Sequence, residues 1–463
     1  MFCKIVREAG FHWAWSDMCC INKADHFMLQ EALVAMFKWY QGSTLTIVFL
    51  LGVHSPSQRG ALVRSIWNTR AWTFQEYHAA KVVRFYTEDW TLYMNLDVPN
   101  HKESPEIILE IEEATGVSAR ALMALRPGLD DIREKLCPAS GRETTLVEDA
   151  AYSLLGIFST SLPVVYGEGD KALGRLLAQL LTSSGDTNIL AWTGSSGSFN
   201  SCFPADITVF SQLPTLHVSP VIEGTRMDTT AARLRASSPN IALVMELYDR
   251  LNELPVPLFA GQRMKLPCIT FKLGLVRSRS EHVFRAQTTA LGIVEIRTEG
   301  DLARLDSLYL IHPWIDFLLD RQPVGRGTET IPGKSTDNPS SSIGGPSSFP
   351  GPSNVTTPTT KQTRASRLMA RLGLTFGGRH PIPPRDVSSL LPPSSVSQID
   401  KQMRALRFVA RLRQPFGALL FTPTRQNVAD YRRVASESMI TVQVQEEMPL
   451  GVLVDNVRML DVL

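Results

Sequence analysis

The chain has 463 residues, 44% of them hydrophobic and 20% charged, which is the composition of a folded globular protein rather than a disordered or fibrous one. At about 100–200 residues per domain, this length predicts two or three domains. The longest apolar run, Leu45 to Val53, is far shorter than the ~20 residues of a membrane-spanning helix, and the first residues lack the pattern of a secretory signal. Six cysteines without a CxxC pair are too sparse for a disulfide framework, so we expect reduced thiols in a cytoplasmic protein.

The first 182 residues alternate between helical and strand-like patterns. Apolar residues at helical spacing predict a helix over Met28–Tyr40, and the β-branched run Leu45–Leu51 that follows predicts a buried strand. Helical spacing returns over Val147–Phe158 and again over Asp170–Leu181. Residues 1–182 are therefore predicted to form an α/β domain.

The pattern changes at about residue 188. Short alternating stretches broken by Pro, Gly and Ser over residues 188–320 predict a mainly β domain. Residues 321–360 are dominated by Pro, Ser, Gly and Thr, which predicts a disordered linker. A basic helical segment is expected over residues 361–435, and a C-terminal strand and helix over residues 436–463.

The basic segment contains an internal duplication. Residues 361 to 433 hold 14 Lys and Arg against 3 Asp and Glu, while the rest of the chain holds 33 against 42. Residues 361–377 match residues 401–417 without a gap at ten identical positions, which indicates a duplicated basic amphipathic helix. It is interpreted either as a surface helix or as a weak contact of residues 361–420 with an anionic membrane, and no specific nucleic acid is predicted as a partner.

Common catalytic and metal-binding signatures are absent from the sequence, which lacks a phosphate-binding loop, a GxSxG elbow, an HExxH pair and a GxGxxG turn. The spacing among Cys3, His12, Cys19, Cys20 and His26 matches no standard zinc pattern, so no metal is predicted. The adjacent thiols are expected to be small buried side chains.

The segment around Trp72 and Glu76 is richer in functional residue types. In a helix these two residues stand at i and i+4 on one face, with Arg70 nearby. An indole beside a carboxylate can cover a flat ring while the acid binds a hydroxyl or stabilises a cation. The alternative is a core tryptophan beside a solvated glutamate.

Four segments in order resemble the HET domain of fungal heterokaryon-incompatibility proteins, and the resemblance spans about residues 3 to 180. It implies a self/non-self recognition protein that promotes programmed cell death, acting through self-association or protein partners. The segments are Trp15–Asp25 (WSDMCCINKAD), Thr69–Glu76 (TRAWTFQE), Phe85–Leu92 (FYTEDWTL) and Arg142–Gly169 (RETTLVEDAAYSLLGIFSTSLPVVYGEG).

HET domains also resemble TIR domains, some of which cleave nicotinamide from NAD with a glutamate. What this implies is an NAD glycohydrolase with Glu76 as the catalytic residue and Trp72, Arg70 and Asp17 as substrate-binding residues, NAD being a substrate and no cofactor being required. The family's opening strand and its Ser-His-x-Trp motif are not found before residue 3. The incomplete TIR-like domain therefore leaves a third interpretation open, an inactive truncated remnant.

Overall fold

The structure, a computed structural model, describes residues 1–211, 229, 231–236, 238–274, 276–302, 305, 307–314, 398–424 and 429–463. Residues Met1–Arg321 and Gln402–Leu463 form one compact unit. Helix accounts for 39% and strand for 21%, which confirms the mixed α/β class, while the TIR-like interpretation stays a prediction. The predicted linker 321–360 and the first copy of the duplicated segment lie outside the described residues.

Helices dominate the chain up to Ser184. None of the described helices is both long and apolar enough to cross a membrane. These first helices are α1 (Phe2–Glu8), α2 (Asp17–Cys20), α3 (His26–Gly42), α4 (Ile66–Thr69), α5 (Ala71–Ala79), α6 (Pro105–Thr115), α7 (Ala119–Ala124), α8 (Ile132–Ser140), α9 (Asp149–Tyr152) and α10 (Lys171–Ser184).

Two parallel strands lie among these helices. Strands β1 (Thr46–Leu50) and β2 (Val83–Thr87) pair over five residues, and the connection between them contains α4 and α5. Parallel neighbours need such a crossover, since the end of the first strand and the start of the second lie at opposite edges of the sheet. Helix α3 leads into β1 and begins where the Asp25 carboxylate accepts the amides of Phe27 and Met28, both at 3.1 Å, a common N-cap.

The rest of the described chain is rich in strands. They are accompanied by helices α11 (Ser238–Glu253), α12 (Gln398–Leu412) and α13 (Leu450–Asp455). The strands are β3 (Leu258–Ala260), β4 (Arg263–Lys272), β5 (Val276–Ser280), β6 (Val283–Thr288), β7 (Gly292–Arg297), β8 (Tyr309–Pro313), β9 (Phe416–Pro423), β10 (Asp430–Val434), β11 (Ile440–Val442) and β12 (Val457–Val462).

Five of these strands close into a ring in which each pairs with two neighbours, in the order β4, β8, β9, β10 and β12. All pairs in the ring are antiparallel except that of β10 with β12. Closure satisfies backbone groups that an open sheet would leave unpaired at its edges. Strands β5, β6 and β7 form a separate antiparallel sheet.

The helical part and the strand ring share one apolar core. Buried leucines of α10, such as Leu176 and Leu177, belong to the same cluster as Leu266 of β4 and Phe421 of β9. A buried cation adds a polar connection, because Arg433 of β10 donates to the carbonyls of Leu190 and Trp192 at 2.8 and 2.7 Å. The boundaries of the predicted domains stay predictions.

The second copy of the duplicated segment differs from its prediction. It contributes helix α12 and the start of strand β9, so the helical pattern does not continue to residue 435. Leu406, Phe408 and Val409 are buried in the core, which makes the surface-helix interpretation wrong for this copy. The reason is that β9 has apolar residues on both faces, as a strand inside the ring requires.

Two further elements differ from the sequence pattern. Only Asp149–Tyr152 of the predicted helix 147–158 is helical, and residues 153–159 form turns. A Cβ on Gly156 would lie 2.2 Å from Cβ of Phe37, so the turns bring this backbone against α3. At the C-terminus the predicted order of strand and then helix is extended by β12 after α13.

Candidate functional site

Helix α5 positions the residues of the candidate site. Its start is fixed by Thr73, whose hydroxyl donates to the carbonyls of Trp67 and Arg70 at 2.7 Å each. Phe74 and Tyr77 of α5 are buried, whereas Trp72 and Glu76 are only half-buried. The predicted placement of Trp72 and Glu76 on one helical face is therefore present, and this face lies at the edge of the core.

Glu76 is the electrostatic centre of the site. Burial and the negative charge of Asp17 raise the pKa of Glu76 to about 7, while Arg70, a hydrogen bond from Tyr40 and the charge of Arg142 act in the opposite direction. Desolvation wins because a carboxylate loses more hydration than these partners return. The structure thus brings together the sequence-predicted residues Glu76, Arg70 and Asp17.

Tyr40, near the end of α3, is a site residue that the sequence analysis did not identify. Burial, followed by the charges of Glu76 and Asp17, raises the pKa of its phenol well above the ordinary value, so Tyr40 stays a neutral hydrogen-bond donor. The ring packs edge-on against Trp15 with 5.7 Å between centroids. Because Tyr40 is far from Glu76 along the chain, no local spacing rule could have found it.

A short bridge joins the start of α5 to the segment that begins at Arg142. The amide of Ala71 donates to the carbonyl of Glu143 at 3.0 Å, and the amide of Glu143 donates to the carbonyl of Thr69. This bridge brings two of the four family-like segments into contact. It also places the Arg142 side chain against the first turn of α5.

The Arg142 guanidinium supports the start of α5. It donates to the Arg70 carbonyl at 3.0 Å and to the Thr73 hydroxyl at 2.9 Å, and it lies over the Phe74 ring at 5.3 Å. Burial lowers its pKa to about 10, with the Glu76 charge acting the other way, so it stays charged near neutral pH. Within the described part of the chain its buried Nε has no hydrogen-bond partner.

Trp72 lies near Asp149 of the segment that begins at Arg142, since its indole acts to lower the pKa of that carboxyl. The Asp149 carboxylate accepts a hydrogen bond from the Tyr166 hydroxyl at 2.9 Å. Burial raises the pKa of Asp149 despite these two contacts. The half-buried indole of Trp72 packs against the core on one side, and its role as a substrate-binding residue stays a prediction.

Glu148 organises the turn that follows. Its carboxylate accepts the amides of Gly167 and Gly169 at 2.7 and 2.9 Å, and these hydrogen bonds hold its pKa below the ordinary value. Gly167 has a φ of 95°, a backbone region that favours glycine. The segment Arg142–Gly169, whose turn is fixed by Glu148, therefore supports α5 through the bridge at Glu143.

The adjacent cysteines near the N-terminus differ from their prediction. Cys19 and Cys20 are exposed, so the expectation of buried thiols is wrong. Among the residues described, no group of three or more His, Cys, Asp or Glu side chains could hold a metal ion. On the opposite side of α5, burial lowers the pKa of His78 to about 3, which keeps this imidazole neutral.

Comparison with known proteins gives one informative similarity. The chain is 35% identical over 176 residues to vegetative incompatibility protein HET-E-1 of Podospora anserina, a match covering 36% of this chain and 12% of that protein. The chain therefore spans only a small part of the length of this curated relative. No family model matches, and no solved structure matches. The similarity supports a fungal protein related to the heterokaryon-incompatibility proteins.

Proposed function

We propose that the chain is a heterokaryon-incompatibility-type protein, a non-self recognition module that promotes programmed cell death. The observation that carries the proposal is its 35% identity over 176 residues to an incompatibility protein. The packing of Thr69–Glu76 against the segment that begins at Arg142 adds support, because two of the family-like segments build one polar site.

The signal is proposed to pass through protein contacts, either self-association or a docked partner. Exposed apolar side chains support this mode, since large apolar groups in water favour association. Four of them belong to family-like segments or lie near them: Trp13 is 74% exposed, Met18 77%, Phe27 69% and Val147 60%.

A second candidate, NAD glycohydrolase activity, is favoured by the surroundings of Glu76. In this reaction the bond between the ribose C1′ and the nicotinamide nitrogen breaks, and water adds to C1′ to give ADP-ribose, nicotinamide and a proton. A carboxylate stabilises the cationic sugar that forms, and a desolvated carboxylate does so more strongly than a hydrated one. With a pKa of about 7, Glu76 is partly ionised at neutral pH and available for this role.

The other residues have defined places in this second candidate. The positive charge of Arg70 lies close enough to Glu76 to affect its titration and could hold an anionic part of NAD. Trp72, half-buried on the same helical face, offers a ring surface for nicotinamide. Tyr40 lies close enough to Glu76 to affect its pKa, and its neutral hydroxyl is available as a donor to the carboxylate.

To test both candidates, the full chain is expressed from an inducible promoter in a fungal host, and cell viability and cellular NAD are measured together. Wild type is expected to kill. Glu76→Gln removes the charge with little change of shape, and Glu143→Gln is the matched control because Glu143 is an exposed carboxylate beside Arg142.

Each outcome selects one interpretation. Loss of killing and of NAD consumption in Glu76→Gln, but not in Glu143→Gln, supports catalysis. Killing by both variants without a fall in NAD supports a signalling module and overturns the catalytic candidate. Absence of killing by wild type that accumulates in folded form overturns the proposal and favours an inactive remnant.

A further inference from the structure

The β5–β6–β7 sheet has a strongly basic exposed face. Its other face is apolar and packs into the core through Phe284, Ala286, Val294 and Ile296. The outward residues follow the period of two expected for strands, so they share one side. They are Arg277, Arg279, Arg285, Gln287, Ile293, Glu295 and Arg297.

One carboxylate lies on this face beside four arginines. Glu295 binds Arg279 at 3.0 Å with one oxygen and Arg297 at 3.4 Å with the other. Its single charge is therefore already shared between two cations. At the hairpin turn, Glu281 lies 3.9 Å from His282 and is 91% exposed. The face as a whole keeps an excess of positive charge.

Arg277 and Arg285 differ from Arg279 and Arg297 in this respect. They stand directly opposite each other in the β5–β6 register, and neither forms an ion pair with a residue that the structure describes. Like charges in directly opposed positions destabilise a sheet. An external anion that approaches both guanidinium groups would relieve this repulsion.

A β-bulge adds to the arrangement. The register of β5 against β6 shifts between Ser278 and Ser280, so Arg279 is the extra residue of the bulged strand. Its ion pair with Glu295 shows that the bulge directs Arg279 toward the same face. Bulges at sheet edges commonly re-aim a side chain in this way.

We infer that this face is a docking surface for an anionic lipid bilayer. Arginines in a single layer complement a plane of lipid phosphates and carboxylates, and each contributes to binding through the negative surface potential. Ile293, on the same face and 72% exposed, supplies an apolar side chain that can enter the boundary between headgroups and acyl chains. The inference goes beyond the proposed function, because it needs neither NAD nor Glu76.

Single-stranded nucleic acid is the competing anionic partner, and the face fits it less well. Sheets that bind single strands stack bases on aromatic side chains. The outward residues of this face include no aromatic ring. The combination of arginines with one exposed isoleucine favours the bilayer.

The experiment uses the full chain and flotation with vesicles of phosphatidylcholine, with and without phosphatidylserine, at low and high salt. The double variant Arg277→Gln/Arg285→Gln should lower the partition coefficient for anionic vesicles about 30-fold, the equivalent of about 1 kcal/mol for each arginine. Arg7→Gln/Arg120→Gln removes the same charge from exposed positions elsewhere and should change binding little.

Three further readouts make the test decisive. Ile293→Asn should weaken vesicle binding at every salt concentration, whereas the double arginine substitution should lower the partition coefficient most at low salt. The thermal midpoint of the arginine variant should be unchanged or higher, because repulsion is removed. Equal flotation of wild type and both double variants overturns the inference, as does salt-sensitive binding to single-stranded RNA without binding to vesicles.

Discussion

Replacing Glu76 with glutamine should stabilise the protein at alkaline pH and leave its stability nearly unchanged in acid. Burial and the charge of Asp17 raise the pKa of Glu76 from 4.5 to about 7 in the folded protein. The folded state therefore holds the proton more tightly than the unfolded chain does. The stability linked to this group is fully present below about pH 4.5 and is lost as the pH rises through about 7.

The size of the effect follows from the same shift. At about 1.36 kcal/mol for each pH unit, ionisation of Glu76 costs the folded state roughly 3 kcal/mol by about pH 8. Glutamine is neutral at every pH and does not carry this cost. The difference in unfolding free energy between variant and wild type should therefore grow from near zero to roughly 3 kcal/mol over this range.

Urea unfolding of wild type, Glu76→Gln and Glu143→Gln at about pH 4.5 and about pH 8 measures this difference. The Glu143→Gln control should differ from wild type by a similar small amount at both pH values, since Glu143 is exposed. A Glu76→Gln protein that is less stable than wild type at the higher pH, or that differs from it equally at both, would refute the electrostatic reasoning.

Three further substitutions probe how the site is supported. Gly156→Ala should cost about 1–3 kcal/mol, because the new Cβ would lie 2.2 Å from Cβ of Phe37, whereas Gly42→Ala, with open space around it, should change the urea midpoint little. Phe158→Ala, at a fully buried position, should cost about 3–5 kcal/mol and lower the midpoint more than Trp72→Ala does, because Trp72 is half-buried. Glu148→Gln should destabilise by roughly 1–3 kcal/mol near neutral pH, since the charged oxygen that accepts two amides is lost. The depressed pKa of Glu148 means that its stabilisation is present above the ordinary pKa and lost in acid, so this last difference should shrink as the pH falls through the folded value.

Local patterns predicted part of the framework that carries the site. Helix α3 and strand β1 were indicated by helical spacing and by a continuous apolar run, whereas α5 was considered only as a condition. Under that condition the pair Trp72 and Glu76 could be placed on one face. What local periodicity cannot supply is the partner across space.

The partners across space decided the chemistry of the site. Tyr40 reaches Glu76 from another helix, and Arg142 reaches α5 through a bridge at Glu143. Neither contact can be predicted from the spacing of residues along the chain. The raised pKa of Glu76 depends on burial, which only packing determines.

The failures of prediction have a related cause. The charge of the duplicated basic segment predicts a surface helix. In its second copy, however, apolar side chains such as Leu406 and Val409 are buried in the core with strands of the ring. Turn formation over residues 153–159 likewise follows from a close approach of Gly156 to α3, which no helical spacing reveals.

The stability that the protein loses when Glu76 ionises offers a way to separate the two candidate functions. Ionisation of a half-buried carboxylate lowers the stability of the folded protein, and glutamine would fill the same space without that loss. A glutamate at such a position is therefore expected where its charge is needed for function. If Glu76→Gln gains stability at high pH and also loses killing, stability and function oppose each other at this residue, as expected of a working charge. If it gains stability and kills as well as wild type, the charge is dispensable, and the proposed signal must depend on the exposed apolar residues near the site, such as Met18 and Val147.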